Sequence, residues 1–316
     1  MKSKINEDVI PVVSICCATY NHVHFIRQCL DGFVMQKTKF PFEVLIHDDA
    51  STDGTQDVIR EYEAKYPDII KPIYQKENQY SKGVRVSLVY NYSRVRGKYV
   101  ALCEGDDYWT DPYKLQKQVD FLENHPDYVM CSHRWSEYFE DEKRLSPDIP
   151  GDVILDGRVY TLDNLVRGAW YFQPLTVMYR WAALDLERYS RYKYAKDITL
   201  FYVLLLHGKG YCLGDTMAVY RLHSGGVWQG LDLNRQRQQD LFIKLALYEV
   251  EKTKEAATFL LQEFTKTRSR IWMLRNVRQY SKIAVILSKH FGAGFALNLF
   301  VGKLMRNRNF KFSDFR

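Results

Sequence analysis

Strand-like apolar runs alternate with amphipathic helical segments between residues 12 and 132, and this alternation constrains the fold more than any other feature. A continuous apolar run such as residues 12–18 is typical of a strand that is covered on both faces. Further strand-like runs lie at residues 44–46, 69–74 and 99–103, and apolar side chains at helical spacing separate them. The pattern predicts an α/β fold with a mostly parallel sheet and helices on both faces.

Two clusters of carboxylates follow directly after two of these runs. The first contains Asp48 and Asp49, and the second contains Glu104, Asp106 and Asp107. Carboxylates that crowd at strand ends repel one another and lose hydration, so a cation or a hydrogen-bonding ligand usually compensates. Ligands of open α/β sheets bind at the carboxyl ends of the strands, and the two clusters therefore predict one binding site. For the first cluster alone, a turn that caps a helix is an equal alternative.

The chain of 316 residues is long enough for one large α/β domain with an appendage. Glycine and proline signals become sparse beyond residue 232, and helical patterns dominate from there to about residue 305. The six cysteines show no paired spacing, which predicts reduced thiols in the core of a cytoplasmic protein. Residues 1–8 are polar and lack the apolar segment of a signal peptide, so we expect no export.

The positive charge is concentrated at the carboxyl end of the chain. Residues 266–316 contain twelve Lys or Arg against the single acidic residue Asp314, although the net charge of the whole chain is only +7. Such asymmetry suggests an anionic partner, such as a membrane surface, nucleic acid or an acidic polymer. A basic helical face that is merely solvated is an equal alternative. Ala293, Leu297 and Phe300 share one helical face, which fits a helix that lies on a membrane. Packing of this face on the rest of the protein or on a second subunit is an equal alternative.

Four motifs in order give the chain a resemblance to the family 2 glycosyltransferases of the GT-A fold. They are Ala-Thr-Tyr-Asn at 18–21, Asp-Asp-Ala-Ser-Thr-Asp at 48–53, Glu-Gly-Asp-Asp-Tyr-Trp at 104–109 and Tyr-Arg-Leu-His-Ser-Gly-Gly-Val-Trp at 220–228. The similarity runs over roughly residues 12–228. It implies a GT-A catalytic domain over residues 1–231 and a basic, mainly helical region over residues 232–316.

The resemblance implies four nucleotide contacts, which are Ala18, Tyr20, Asp49 and Asp106. A carboxylate at Asp49 can accept a hydrogen bond from the imide N–H of uracil. The chain departs from the family pattern at Glu104, which stands where the first Asp of the metal motif is often found.

The resemblance also implies a divalent metal, Mn²⁺ or Mg²⁺, held against the diphosphate by Asp107 and His223. Carboxylate oxygens suit such hard cations, and Mn²⁺ accepts mixed ligation by oxygen and imidazole. A lone His is more often structural, and it is the surrounding motif that favours a ligand role for His223. The neighbouring Arg221 either adds positive charge near phosphate or lies at the surface.

Asp197 resembles the acidic residue that the family uses as catalytic base, although the sequence alone favours an ordinary N-cap role for it. In an inverting transfer a carboxylate removes the proton of the acceptor hydroxyl as its oxygen attacks the anomeric carbon. Lys196 stands where the family often has an acidic or small residue.

The residues and the resemblance together predict an inverting, metal-dependent glycosyltransferase. Its donor would be a nucleoside diphosphate sugar, preferably a UDP-sugar, and its acceptor a hydroxyl of a glycan or lipid-linked saccharide in cell-surface polysaccharide synthesis. We expect it in the cytoplasm, with residues 266–316 in peripheral contact with an anionic membrane and no nucleic acid partner. Two alternatives are a sugar-phosphate nucleotidyltransferase and a non-catalytic assembly protein that binds nucleotide sugars. Residues 18–22 lack the glycine-rich loop expected of the former.

Overall fold

The computed structural model describes residues 9–149, 157–170, 172–226, 229–266 and 277–304. These residues form two compact units. The first consists of the described residues within Met1–Thr161, Tyr171–Asp185 and Leu204–His223, and the second of those within Leu162–Trp170, Leu186–Val203 and Ser224–Arg316. The boundary predicted near residue 231 concerns function and stays a prediction.

The first unit is built on a mixed sheet to which ten strands of the described chain contribute. They are β1 (Val13–Thr19), β2 (Phe42–Asp48), β3 (Ile70–Tyr74), β4 (Tyr99–Leu102), β5 (Tyr108–Trp109), β6 (Tyr128–Phe139), β7 (Arg144–Leu145), β8 (Arg158–Tyr160), β9 (Met178–Arg180) and β10 (Lys209–Leu222). The order is β3-β2-β1-β4-β9-β6-β10-β5, with β7 beside β6 and β8 beside β10.

The strands β3, β2, β1 and β4 pair in parallel, as the alternating sequence pattern predicts. Successive residues of β1 point to opposite faces of the sheet, yet Val13, Ser14, Ile15 and Cys17 are all fully buried. Beyond β4 the sheet becomes mixed, because β9 runs antiparallel to both of its neighbours while β6 and β10 are parallel to each other. The predicted α/β fold is confirmed.

Helices α1 (Ile26–Val34), α2 (Thr55–Lys65) and α3 (Lys114–Asn124) connect the strands of the first unit. Each presents an apolar face to the core; on α1 this face consists of Ile26, Cys29, Leu30 and Phe33, all fully buried. All six cysteines are free and buried, which confirms their prediction as core thiols. The core places the carboxyl ends of β1, β2 and β4 at one edge of the sheet.

The second unit is helical wherever the structure describes regular elements in it. It contains α4 (Leu162–Val166), α5 (Leu186–Ser190), most of α6 (Asp197–Leu205), α7 (Leu233–Glu251), α8 (Lys254–Lys266), α9 (Val277–Phe291) and α10 (Ala293–Leu304). A buried ion pair, Lys244 to Glu263 at 2.7 Å, joins α7 to α8 inside an apolar core. The helical carboxyl-terminal region is thereby confirmed for its described part.

Short non-α turns precede two of the strands. A 3₁₀ turn, Pro174–Thr176, comes just before β9. A π-turn, Ser87–Asn91, and a 3₁₀ turn, Tyr92–Arg94, come before β4.

The apolar face predicted on the last helix is split. Leu297 is 64% exposed, whereas the Phe300 ring packs on Phe264 with 4.6 Å between ring centroids. None of the helices that the structure describes has the length and apolar character needed to cross a bilayer. Residues 267–276 and 305–316 of the predicted membrane-contacting tail lie outside the described residues, as do Val227 and Trp228 of the last motif.

Candidate active site

The loops that follow β1, β2 and β4 meet at one edge of the sheet. The strand register sets Ala18 beside His47 and Thr19 beside Asp48. The N–H of Asp49 donates to the carbonyl of Thr19 at 3.0 Å, and the N–H of Gly105 donates to the carbonyl of Ala18 at 3.0 Å. The two carboxylate clusters therefore flank the end of β1, as predicted.

The turn after β1 is fixed by Asn21, whose backbone has a left-handed φ of 55°. Its side-chain oxygen accepts the N–H of Thr52 at 2.8 Å, and its own N–H donates to Ser51 Oγ at 2.8 Å. Asn tolerates this conformation better than most residues. The turn leaves the Tyr20 side chain 44% exposed, so its ring is accessible to a ligand.

The carboxylates of the first cluster have distinct structural partners. Asp53 accepts the N–H and the hydroxyl of Thr55 at 2.9 and 2.6 Å, which fixes the turn that leads into α2. Asp48 accepts the N–H of Ser51 at 3.0 Å and the side-chain amide of Gln56 at 2.6 Å.

Asp49 performs a different task. One carboxylate oxygen accepts the N–H of Gln79 at 2.7 Å and the other accepts that of Tyr80 at 2.9 Å. The residue is only 4% exposed. Asp49 thus holds the loop after β3 beside the end of β2, and the remaining lone pairs of its oxygens are those available to a base.

Asp106 faces two imidazoles. Its Oδ2 lies 3.2 Å from Nε2 of His223 and 3.8 Å from Nε2 of His22. Although burial opposes ionisation, the hydrogen bond with His223 and the proximity of His22 hold the pKa of Asp106 below its ordinary value. The other oxygen, Oδ1, is buried without a hydrogen-bond partner among the described residues.

Asp107 is 3% exposed, and its Oδ1 accepts the N–H of Arg221 at 2.8 Å. Burial, together with the charges of Asp106 and Glu104, raises the pKa of Asp107 well above its ordinary value. The pKa values of the two adjacent carboxyls therefore shift in opposite directions. The pKa of Asp106 falls because imidazoles lie beside it, and that of Asp107 rises because it is buried among like charges.

Arg221 stabilises the loop that carries Asp106 and Asp107. Its Nε donates to the carbonyl of Asp106 at 2.9 Å, and its two terminal nitrogens donate to Glu140 at 2.7 Å and Gln28 at 2.6 Å. The surface position considered for Arg221 is wrong, because the residue is only 6% exposed. Its guanidinium fixes the backbone of the second acidic cluster at Asp106.

The backbone at Gly105 passes too close to β1 for any other residue. A Cβ at this position would lie 2.5 Å from Thr19 Oγ1 and 3.0 Å from His22 Nδ1. The Glu-Gly-Asp-Asp order thus brings Asp106 against His22.

The donors around Asp106 fit a divalent cation. A buried carboxylate oxygen without a partner and imidazole nitrogens beside the same carboxylate form a mixed oxygen and nitrogen set that Mn²⁺ accepts. Within the described residues no three Asp, Glu, His or Cys side chains are already arranged as a metal site. A cation here would therefore take further ligands from a bound phosphate or from water.

Asp197 belongs to the second unit, as the first residue of α6. Its Oδ1 accepts the N–H of Ile198 at 2.8 Å, and burial raises its pKa above the ordinary value. Lys196 donates to Gln239 at 2.9 Å, so its ammonium is held by α7. A raised pKa is what a carboxylate needs in order to act as a base near neutral pH.

The first unit thus carries Ala18, Tyr20, Asp49, Asp106, Asp107 and His223 on the loops and strands described above, and the second unit carries Asp197. Sequence reasoning missed His22. The available signal was its position directly after the Ala-Thr-Tyr-Asn motif, at the end of a strand that leads to the site.

Comparisons with known proteins show what this chain is similar to. A family model described as Glycosyl transferase family 2 matches residues 14–184. An uncharacterised protein of Mycobacterium tuberculosis is 34% identical over 306 residues, a match that covers 88% of this chain and 83% of that protein. The putative teichuronic acid biosynthesis glycosyltransferase TuaG of Bacillus subtilis is 35% identical over 223 residues, which covers 69% of this chain and 81% of TuaG.

A solved structure has the same fold. The crystal structure of S. aureus TarS residues 1–349 in complex with UDP-GlcNAc matches with a TM-score of 0.63 at 19% identity. The match covers 92% of this chain and 89% of that one. It confirms the predicted GT-A fold.

Proposed function

We propose that this chain, which belongs to glycosyltransferase family 2 and is a glycosyltransferase, moves a sugar from a nucleoside diphosphate donor to a hydroxyl with inversion at the anomeric carbon. The proposed donor is a UDP-sugar and the reaction requires Mn²⁺ or Mg²⁺. The proposed acceptor is a glycan or a lipid-linked saccharide in cell-surface polysaccharide synthesis. Family membership removes the reasons to consider a nucleotidyltransferase or a non-catalytic assembly protein.

One observation carries this proposal. Asp106 presents a buried oxygen without a hydrogen-bond partner among the described residues, while His223 contacts its other oxygen at the carboxyl edge of the sheet. An anionic ligand would be repelled by this cluster unless a cation accompanied it. A diphosphate that arrives with a divalent cation satisfies both requirements.

The metal would be held by Asp107 and His223, with Asp106 next to it or to the ribose. When bound, a divalent cation neutralises negative charge on the departing diphosphate. The chain's own contribution is positional, since Arg221 donates from its Nε to the Asp106 carbonyl and from its backbone N–H to the Asp107 carboxylate. His22 limits the position of the Asp106 carboxylate from the other side.

The nucleotide would lie against Ala18, Tyr20 and Asp49. The exposed ring of Tyr20 offers a flat apolar surface to a base. Asp49 has lone pairs left for the imide N–H of uracil after it has accepted the bonds from Gln79 and Tyr80. TarS, which shares the fold, was solved with UDP-GlcNAc, and this supports a UDP-sugar as donor.

Asp197 is the proposed catalytic base. In a single displacement the acceptor oxygen forms a bond to the anomeric carbon, the bond to the diphosphate breaks, and Asp197 takes the hydroxyl proton. Its raised pKa favours acceptance of that proton. Residues 1–231 would then form the catalytic domain and residues 232–316 an appended helical region.

The acceptor proposal is supported by TuaG, which is described as a teichuronic acid biosynthesis enzyme. We further propose that the protein is cytoplasmic and that its residues 266–316 contact an anionic membrane. This segment contains twelve basic residues and only one acidic residue.

A melting experiment tests the metal and donor assignments together. UDP with Mn²⁺ should raise the melting temperature of the purified protein, and UDP in excess chelator should do so far less. Equal stabilisation in chelator would overturn metal dependence. A larger effect of GDP than of UDP would overturn the donor assignment while leaving the metal intact.

A further inference from the structure

The second unit contains a groove of about 690 Å³ between the end of α7 and one side of α9. It is lined by side chains from residues 248–252 and from residues 278–289. This volume is in the range of sites that bind small ligands, roughly 300–1,000 Å³. None of these residues belongs to the candidate active site.

The groove concentrates positive charge. Arg278, Lys282 and Lys289 lie on one exposed side of α9, and Lys252 comes from the opposite wall. Lys282 pairs with Glu249 at 2.7 Å. In the part of the chain that the structure describes, the side chains of Lys252, Arg278 and Lys289 form no ion pair. Three uncompensated cations at one groove favour an anionic occupant.

An apolar side chain lies among these cations. Val285 is 70% exposed, although it stands between Lys282 and Lys289 on the same side of α9. The floor adds the side chains of Tyr248 and Ile286, which are largely buried. A free phosphate would use only the cations, whereas a lipid at a bilayer surface presents an anionic headgroup beside apolar chains. The mixture of exposed Val and unpaired cations fits the lipid better.

We propose that this groove binds the phosphate headgroup of an anionic membrane lipid. The inference rests on the membrane contact proposed for residues 266–316 and assigns it to a defined site. Lys252, Arg278 and Lys289 contact the phosphate, and Val285 enters the interface between headgroups and acyl chains. None of the groove residues is among the proposed active-site residues, so we expect loss of the groove to leave UDP-sugar turnover intact.

Sedimentation of the full-length protein with vesicles tests the proposal. Wild type should sediment with phosphatidylcholine vesicles that contain phosphatidylglycerol and not with pure phosphatidylcholine. The double variant Arg278→Glu with Lys289→Glu should bind the anionic vesicles at least tenfold more weakly, because each basic residue near such a surface changes affinity by roughly fivefold. Val285→Asn should weaken binding that persists at high salt, since salt screens charge and not apolar burial.

A matched control is Lys193→Glu with Lys254→Glu, which makes the same charge change at two exposed lysines of the second unit outside the groove. It should bind within about twofold of wild type. Equal loss in both double variants would show a general charge effect and overturn the groove assignment. Unchanged binding by the groove variant would place the membrane contact elsewhere in residues 266–316.

Two further outcomes are informative. If inorganic phosphate at millimolar concentration protects Lys252 and Lys289 from acylation while vesicles do not, the occupant is free phosphate and the lipid proposal fails. If wild type ignores anionic vesicles at low salt, both membrane proposals fail. Release of UDP from a UDP-sugar is measured in parallel, and it tests glycosyl transfer independently of either result.

Discussion

His223 Nε2 lies 3.2 Å from Asp106 Oδ2, although 116 residues separate the two in the sequence. The contact joins the end of β10 to the loop after β4, and His22 approaches the same oxygen from the loop after β1. One carboxylate therefore connects three segments of the chain. Its second oxygen stays without a hydrogen-bond partner among the described residues, and the proposed cation would lie close to it.

The His22 contact predicts a positioning role. His22→Ala should weaken Mn²⁺ affinity in the presence of UDP about 10- to 100-fold, as loss of a group that orients a metal ligand typically does. His223→Ala should remove the Mn²⁺ response entirely. Titration of Mn²⁺ followed by its electron paramagnetic resonance signal measures both. His24→Ala, at an exposed position, is the control, and a His22→Ala affinity equal to that control would refute the role.

Asp107→Asn should separate stability from function. Burial and the charges of Asp106 and Glu104 destabilise the ionised Asp107, so a neutral side chain of the same shape should stabilise the fold by about 1 kcal/mol at neutral pH. The amide oxygen can still accept the N–H of Arg221. The variant should nevertheless lose the Mn²⁺-dependent gain in UDP affinity. Chemical denaturation and calorimetric titration provide the two readouts, and a destabilised variant would contradict the electrostatic account.

Asp197→Asn should retain UDP affinity and lose transfer by roughly 10²- to 10⁴-fold, because the amide cannot accept the proton of the acceptor hydroxyl. Burial raises the pKa of Asp197, so wild-type activity should fall with decreasing pH at a value above the ordinary 3.8 of Asp. Asp163→Asn changes an exposed Asp that pairs with Arg167 and serves as control. Normal transfer by Asp197→Asn would place the base elsewhere.

Lys114 predicts a pH dependence of stability. It is fully buried, with its ammonium 3.9 Å from the centre of the Trp109 ring, and burial lowers its pKa from 10.5 to about 7. Between these two values the unfolded chain binds a proton that the folded chain does not, so the contribution of Lys114 to stability rises with pH across this window.

The free energy of unfolding of wild type minus that of Lys114→Met should therefore increase by on the order of 3–5 kcal/mol from pH 7 to 10.5. Denaturation in urea across this range measures the difference, in which the contributions of other groups cancel. Lys65→Met, at an exposed lysine, should show a constant difference from wild type. A constant difference for Lys114→Met as well would mean that Lys114 titrates normally.

The sequence predicts the parallel half of the sheet well, because β1, β2 and β4 are short, continuous apolar runs, which are typical of strands buried on both faces. It therefore also predicts which carboxylates lie at the carboxyl edge of the sheet. The hydrogen-bond partner of each carboxylate is harder to predict from the sequence. Asp48 and Asp53 take up local hydrogen bonds that a turn motif indicates, whereas the Asp49 contacts with residues 79 and 80 depend on a loop that carries no pattern.

The mixed half of the sheet beyond β4 is harder to predict for a physical reason. β6 contains His133, Arg134 and Glu137, so its sequence lacks the apolar alternation of a strand. Its parallel pairing with β10 joins residues about 80 positions apart, and this pairing decides that Arg221 is buried. A single Arg or His in a sequence does not indicate which strands and helices will surround it. The contacts of Arg221 and His22 with Asp106 are therefore seen only in the structure.

The central claim is a metal-dependent transfer from a UDP-sugar at the Asp106 and Asp107 cluster. It is tested most directly by the release of UDP or GDP from a panel of UDP- and GDP-sugars. Wild type and Asp107→Asn are first stripped of metal, and each is then assayed with and without added Mn²⁺. We predict that at least one UDP-sugar is turned over by wild type, that Mn²⁺ stimulates this turnover at least tenfold, and that Asp107→Asn abolishes the stimulation. Equal turnover with and without Mn²⁺, or an Asp107→Asn variant that responds to Mn²⁺ as wild type does, would contradict the claim.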